Sequence, residues 1–146
     1  MKHSETYSFV VYKYPNGKLT ERTEIPIRIT NPATGDACIV FALIDTGADT
    51  CVIPKNLSDK LNHNFSAEGV HSTITGGIGG QSKTFKHTFN LEILNSDRNK
   101  VVYSVGNLLV DCVDENIPPL IGVKDFLQHF EVEIDYPAKT IALSWN

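Results

Sequence analysis

The sequence predicts a mainly β protein, a single closed-barrel domain over residues 1–146 with one or two short helices. Three observations predict it. Apolar residues recur mostly at every second position, the period of strands with one wet face. Short runs of this kind are separated by turn-forming clusters such as Asn31-Pro-Ala-Thr-Gly-Asp36 and Asn95-Ser-Asp-Arg-Asn99. The 146 residues contain no internal repeat and no low-complexity linker, so they suit one core that needs no staples.

In chain order, the first clear strand has Ile25, Ile27 and Ile29 alternating with Glu24, Pro26, Arg28 and Thr30. Pro26 lacks a backbone donor, which places it near a sheet edge. The Asn31–Asp36 turn makes a hairpin into Ala37–Ile44, a run apolar at both alternating positions and therefore expected to be buried on both sides. Pro54 then stands at a helix start, with Leu57 and Leu61 at i, i+4. Lys83–Leu94 and Val101–Val110 read as strands joined by the Asn95–Asn99 turn. The tail reads as a last hairpin: Phe130, Val132, Ile134 and Tyr136 share one face, Ile141, Leu143 and Trp145 share one face, and Tyr136–Lys139 turns between them.

Composition excludes several functions. A net charge of −4 with scattered Lys and Arg lacks the clustered positive charge that phosphate neutralisation needs, so no nucleic-acid partner is expected. The apolar stretch near the start, Phe9–Tyr12, is too short for a signal-peptide core or a membrane span, which makes a cytoplasmic location the expectation. Cys38, Cys51 and Cys112 are odd in number and widely spaced, as reduced core thiols would be. The five histidines show no ligand spacing, and neither a metal nor a cofactor is expected.

The chemistry concentrates at Ala42-Leu-Ile-Asp-Thr-Gly-Ala-Asp-Thr-Cys-Val-Ile-Pro54. An apolar strand delivers Asp45 into a tight polar turn. There Thr46 offers a hydroxyl, and Gly47 offers a backbone N–H unhindered by a Cβ. Burial and a neighbouring carboxylate both favour the protonated form of an acid, which is what proton-transfer chemistry requires. Two further segments accompany this one: the glycine-rich Thr75-Gly-Gly-Ile-Gly-Gly80 between strand-like stretches, and Pro118-Pro-Leu-Ile-Gly-Val-Lys-Asp-Phe-Leu127.

Together, in this order and spacing, the three segments resemble the active-site loop, flap tip and apolar-apolar-glycine segment of the retropepsins, the retroviral type of aspartic protease. The resemblance covers roughly Ile39–Phe130 and implies a retropepsin-like barrel that hydrolyses peptide bonds. The chain has one Asp-Thr-Gly, whereas the reaction needs two carboxylates, one as base toward water and one protonated toward the substrate carbonyl. A twofold homodimer would bring Asp45 against its own copy. The resemblance further implies that Thr46 and Gly47 support the catalytic loop. It assigns Ala48, Asp49, Thr50, Gly76, Gly77, Ile78 and Leu120 to binding a peptide or protein substrate held as an added strand.

Blander alternatives exist for each segment. Asp45 could cap a strand-to-turn junction, the glycines could form an ordinary loop, and Asp49 could be a solvated turn residue. A phosphate loop fits poorly, because Gly76–Lys83 lacks the Gly-Lys-Ser/Thr ending and a strand follows it. Two departures from the retroviral pattern stand out. The arginine that often follows the glycine segment and pairs with the acid at the position of Asp49 is replaced by Val123, followed by Lys124. Both termini are also longer than in the retroviral enzymes, so the resemblance does not by itself imply the interleaved terminal strands that hold those dimers. These departures keep open a peptide-binding or dimerisation module of the same fold with little or no turnover.

Overall fold

The computed structural model describes residues 2–62, 71–77, 80–124 and 126–146, with side chains described outside 71–77 and 80–83. Among the described residues, twelve strands and two short helical pieces follow one another. First come β1 (His3–Ser8), the hairpin β2 (Val10–Lys13) and β3 (Leu19–Arg22), β4 (Glu24–Thr30), β5 (Ala37–Ile44) and β6 (Val52–Pro54). The helix α1 (Lys55–Lys60) precedes β7 (His71–Gly77), β8 (Gly80–Leu94), β9 (Val101–Val113) and β10 (Leu120–Ile121). A 3-10 turn at Leu127–His129 leads into β11 (Glu131–Asp135) and β12 (Thr140–Trp145).

Six strands close a barrel in the order β4-β5-β10-β6-β9-β8, with β8 returning to β4 through pairs from Ile27↔Ile93 to Thr30↔Asn90. Closure hides the edges that an open sheet would expose. Its interior follows from the period-two pattern: Ile25, Ile27 and Ile29 of β4 meet Phe89, Leu91 and Ile93 of β8 and Val110 and Cys112 of β9, all at 1% exposure or less. Truncating a fully buried aromatic such as Phe89 to alanine costs about 3 to 5 kcal/mol. Pro26 pairs with β5 alone, since β8 joins β4 only from Ile27, and this is how a residue without an N–H fits a closed sheet.

The expectation for Ala37–Ile44 needs correction. Ala42 and Ile44 are buried, but Ala37 is exposed and Ile39 is 53% exposed. Only one face of β5 looks into the barrel. On the other face the Arg98 guanidinium covers the Phe41 ring, 5.5 Å from its centroid, and leaves Ile39 open. Helix α1 follows Pro54, which serves as its N-cap residue without a side-chain cap bond, and buries Leu57. Leu61, just past its end, is held by Asn31, whose Nδ2 donates to the Leu61 carbonyl at 2.8 Å.

The two ends of the chain form a separate three-stranded sheet, β1-β12-β11. Here β1 adds to the expected tail hairpin, pairing with β12 over six residues from His3↔Trp145 to Ser8↔Thr140. An aromatic cluster ties this sheet to β9: Tyr103 lies 4.6 Å from Phe130 and 5.7 Å from Trp145 between ring centroids, edge to face. The buried Tyr7 hydroxyl donates to the Leu94 carbonyl at 2.6 Å and fastens β1 to the barrel. Tyr136 departs from the expected face and is 67% exposed, because it stands in the turn beyond β11, edge-on to Phe9. No helix among the described residues is long and apolar enough to cross a membrane.

Candidate active site

The loop bearing Asp45 hangs from the end of β5 by backbone bonds on both sides. Leu43 N–H donates to Pro119 O at 2.8 Å, Ile44 N–H to Thr23 O at 2.9 Å and Asp45 N–H to Ile121 O at 3.0 Å. This follows from β10, which lies between β5 and β6, parallel to the first (Leu120↔Leu43, Ile121↔Ile44) and antiparallel to the second (Leu120↔Val52). The chain then turns sharply, with Ala48 N–H on Asp45 O at 3.2 Å. Gly47 N–H donates to Asp45 Oδ1 at 3.0 Å, so the turn itself fixes one oxygen of the carboxylate.

Beyond the turn the loop is stitched to the segment after β10. Val123 N–H donates to Ala48 O at 2.9 Å and Lys124 N–H to Asp49 O at 2.7 Å. Gly122 makes this approach possible: a Cβ there would lie 2.3 Å from Thr50 O and 2.5 Å from its carbonyl carbon. Only a residue without a side chain lets two backbones pass so closely. The Gly47 position is different, since a Cβ would meet Asp45 Oδ1 at an ordinary 3.4 Å.

The structure brings Asp45, Thr46, Gly47, Ala48, Asp49 and Thr50 together with Leu120 in one place. Asp45 is half-buried, between the buried Ile44 and the exposed Thr46 and Gly47. Ala48, Thr50 and Leu120 are half-buried and Asp49 is exposed. Asp49 has no side-chain partner among the described residues. Gly76 and Gly77 stand at the end of β7, paired with Gln81 and Gly80 of β8, so they lie at the far end of a hairpin. The last pair of β8 with β9 is Thr84↔Val113, and beyond it β8 is paired with β7 alone. Ile78 lies outside the described residues.

Sequence reasoning missed two members of this neighbourhood. The Thr50 hydroxyl donates to Asp111 Oδ2 at 2.8 Å, and Lys86 Nζ donates to Asp111 Oδ1 at 2.7 Å. The available signal was an acid in the middle of an apolar strand, Leu108-Leu109-Val110-Asp111-Cys112-Val113. A cavity of about 510 Å³ has Leu43, Pro118, Phe9 and Tyr136 as apolar walls and Glu21 and Arg22 as charged ones, and no residue of the Asp45–Thr50 loop lines it. Arg22 is held 4.7 Å over the Tyr12 ring, and the Tyr12 hydroxyl donates to the buried Glu24. Among the described residues no group of three His, Cys, Asp or Glu is placed to hold a metal. Cys51 is buried, and burial pushes the Cys112 thiol up to about 12, so Cys112 does not behave as a thiolate nucleophile.

A family model for retroviral aspartyl protease matches residues 19–135, well over half of the chain. Among solved structures, a retropepsin-like aspartic protease from Rickettsia conorii superposes with a TM-score of 0.60 at 16% identity, over 99% of this chain and 93% of that one. EIAV protease in complex with the inhibitor HBY-793 superposes with a TM-score of 0.51 at 21% identity, over 80% of this chain and 92% of that one. No curated protein sequence matches. At these identities the superpositions establish the retropepsin fold. The length of the family match establishes the rest: the chain belongs to the retroviral aspartyl protease family.

Proposed function

We propose that two copies of this chain, each a single domain over residues 1–146, form an aspartic endopeptidase whose active site takes Asp45 from each copy. The observation that carries this reading is the Asp45 turn. It presents a half-buried carboxylate, held at Oδ1 by Gly47 N–H, at the end of a strand bonded on both sides. One Asp45 accepts a proton from water as the water attacks the peptide carbonyl. The other, protonated, donates to the carbonyl oxygen and stabilises the tetrahedral intermediate. Collapse of the intermediate returns a proton to the leaving amine, and the cycle calls for no cofactor. Thr46 supports the pair of loops across the twofold axis.

Substrate binding in this reading follows from backbone accounting. The carbonyls of Ala48 and Asp49 are spent on Val123 and Lys124, whereas the N–H groups of Asp49 and Thr50 have no acceptor among the described residues. They are free to donate to a peptide main chain lying along the loop as an added strand. Gly76 and Gly77 close over that strand from the projecting hairpin, Ile78 is assigned to the same substrate by the family resemblance alone, and Leu120 lines a side-chain pocket. A second reading, a peptide-binding or dimerisation module of low turnover, draws support from Val123 in the arginine position and from the Asp49 carboxylate, which has no partner among the described residues.

Mixing wild type with Asp45→Asn under subunit exchange separates these readings. With a shared pair of carboxylates, activity at fixed total protein falls as the square of the wild-type fraction. A straight line rejects the shared site, and absence of cleavage by wild-type dimers favours the module.

A further inference from the structure

Asp111 interrupts an apolar stretch of β9, and both of its carboxylate oxygens are occupied by donors from different parts of the molecule. Oδ2 takes the hydroxyl of Thr50, at the end of the loop that begins with Asp45. Oδ1 takes Lys86, the cross-strand partner of Asp111 on β8. Lys86 stands two residues inside Thr84, where β8 leaves β9 and continues as the projecting hairpin. The Asp111 N–H adds a bond to Cys51 O at 3.1 Å. One side chain therefore joins the root of the hairpin to the far end of the catalytic loop. The ion pair is partly solvated, with side-chain exposures of 36% for Lys86 and 18% for Asp111, so its weight in global stability is small. What it fixes is relative position.

We infer that Asp111 is a positioning residue that couples the hairpin strand, through Lys86, to Thr50 and the substrate-facing end of the Asp45 loop. The chemistry at Thr50 is specific. A hydroxyl that gives its single proton to a carboxylate has only lone pairs left for other groups. Thr50 thus meets a peptide as an acceptor and selects N–H or hydroxyl donors. A displacement of β8 that draws Lys86 away leaves Asp111 with one donor and frees it to rotate, and Thr50 rotates with it. The kinetic consequence rests on the aspartic protease reading above; the mechanical coupling does not.

The decisive variant is Lys86→Met, because among the described residues the hydrogen bond of the Lys86 side chain goes to Asp111 and not to Thr50. Backbone hydrogen exchange at Asp111, Val123 and Lys124, whose N–H groups bond to the carbonyls of Cys51, Ala48 and Asp49, should accelerate about threefold or more in Lys86→Met, in the same direction as in Asp111→Asn and Thr50→Val. In peptide cleavage both Lys86→Met and Asp111→Asn should raise KM by about three- to tenfold with kcat held within about twofold, and the double variant should do no worse than the poorer single. Exchange at Asp111, Val123 and Lys124 left at the wild-type rate by Lys86→Met overturns the coupling, whether or not the protein cleaves peptides. Coupled exchange in a protein without cleavage supports the clamp and counts against the protease reading alone. Equal losses in kcat and kcat/KM from Lys86→Met would overturn the positioning role, since that pattern marks a group acting only in the transition state.

Discussion

The Asp45 loop and the terminal sheet are both built where distant parts of the chain meet, yet they are held together by different means. The loop is fixed by backbone: among the described residues six N–H···O bonds, from Leu43, Ile44, Asp45, Ala48, Val123 and Lys124, and the close pass of Gly122 over Thr50. The terminal sheet is fixed by side chains, through the Tyr103, Phe130 and Trp145 cluster and the Tyr7 bond to Leu94. The loop is held in place by its own chain and, in the proposed dimer, would supply half of a two-carboxylate site. The sheet is complete within one chain, because β1 pairs with β12 of the same chain. Within the single chain the two termini thus satisfy each other's strand edges, β1 lying on β12.

The largest effect should come from filling the close pass. Gly122→Ala puts a Cβ 2.3 Å from the Thr50 carbonyl oxygen, a backbone atom that cannot swing aside. It should cost about 3 kcal/mol of stability. Gly47→Ala, with a 3.4 Å contact, should leave the fold nearly intact. Denaturant midpoints for the two variants would test whether the loop is held by backbone proximity; equal midpoints would refute that account.

This contrast also marks what the sequence makes legible. The closed barrel, the Asp45 turn and the tail hairpin follow from period-two patterning and short motifs, because each is a local signal of a few adjacent residues. The reason for Gly122 was not legible, since its neighbour Thr50 is remote in sequence and meets it only once β10 lies between β5 and β6. Asp111 escaped for the same reason: its partners, Thr50 and Lys86, come from two other elements. The one-sided burial of β5 was misread because an apolar run does not reveal whether its second face meets the core or only an arginine over Phe41. The pairing of β1 with β12 joins opposite ends of the chain, a register that no local pattern encodes.

A smaller effect is expected at the sheet. Trp145→Ala removes one ring from the Tyr103–Phe130 cluster, and since Trp145 is half-buried the cost should be about 2 kcal/mol, below that of a fully buried aromatic. If side chains hold the sheet and backbone holds the loop, hydrogen exchange should rise in β1, β11 and β12 and stay unchanged at residues 45–50. A parallel rise in both would show that the two regions unfold as one unit.

The smallest effect concerns pH and the strand that links the regions. His87 follows Lys86 on β8, faces Val110 across the sheet, and has its pKa held below the usual 6.5 by burial. Its Nδ1 accepts the Thr88 N–H at 3.0 Å, a bond that a proton on that nitrogen would abolish. The unfolded chain therefore binds this proton more readily than the folded one. Stability should be unaffected by this group above pH 6.5 and should decline as pH falls below 6.5 toward the folded-state value. Asp36 acts in a different window: the Thr34 and Asn62 hydrogen bonds lower its pKa from 3.8, so its contribution is lost only in stronger acid. Unfolding curves between about pH 7 and about pH 5 isolate the histidine, and His87→Gln should flatten the slope there. An unchanged slope would place the proton uptake elsewhere and leave the root of the hairpin insensitive to pH in that range.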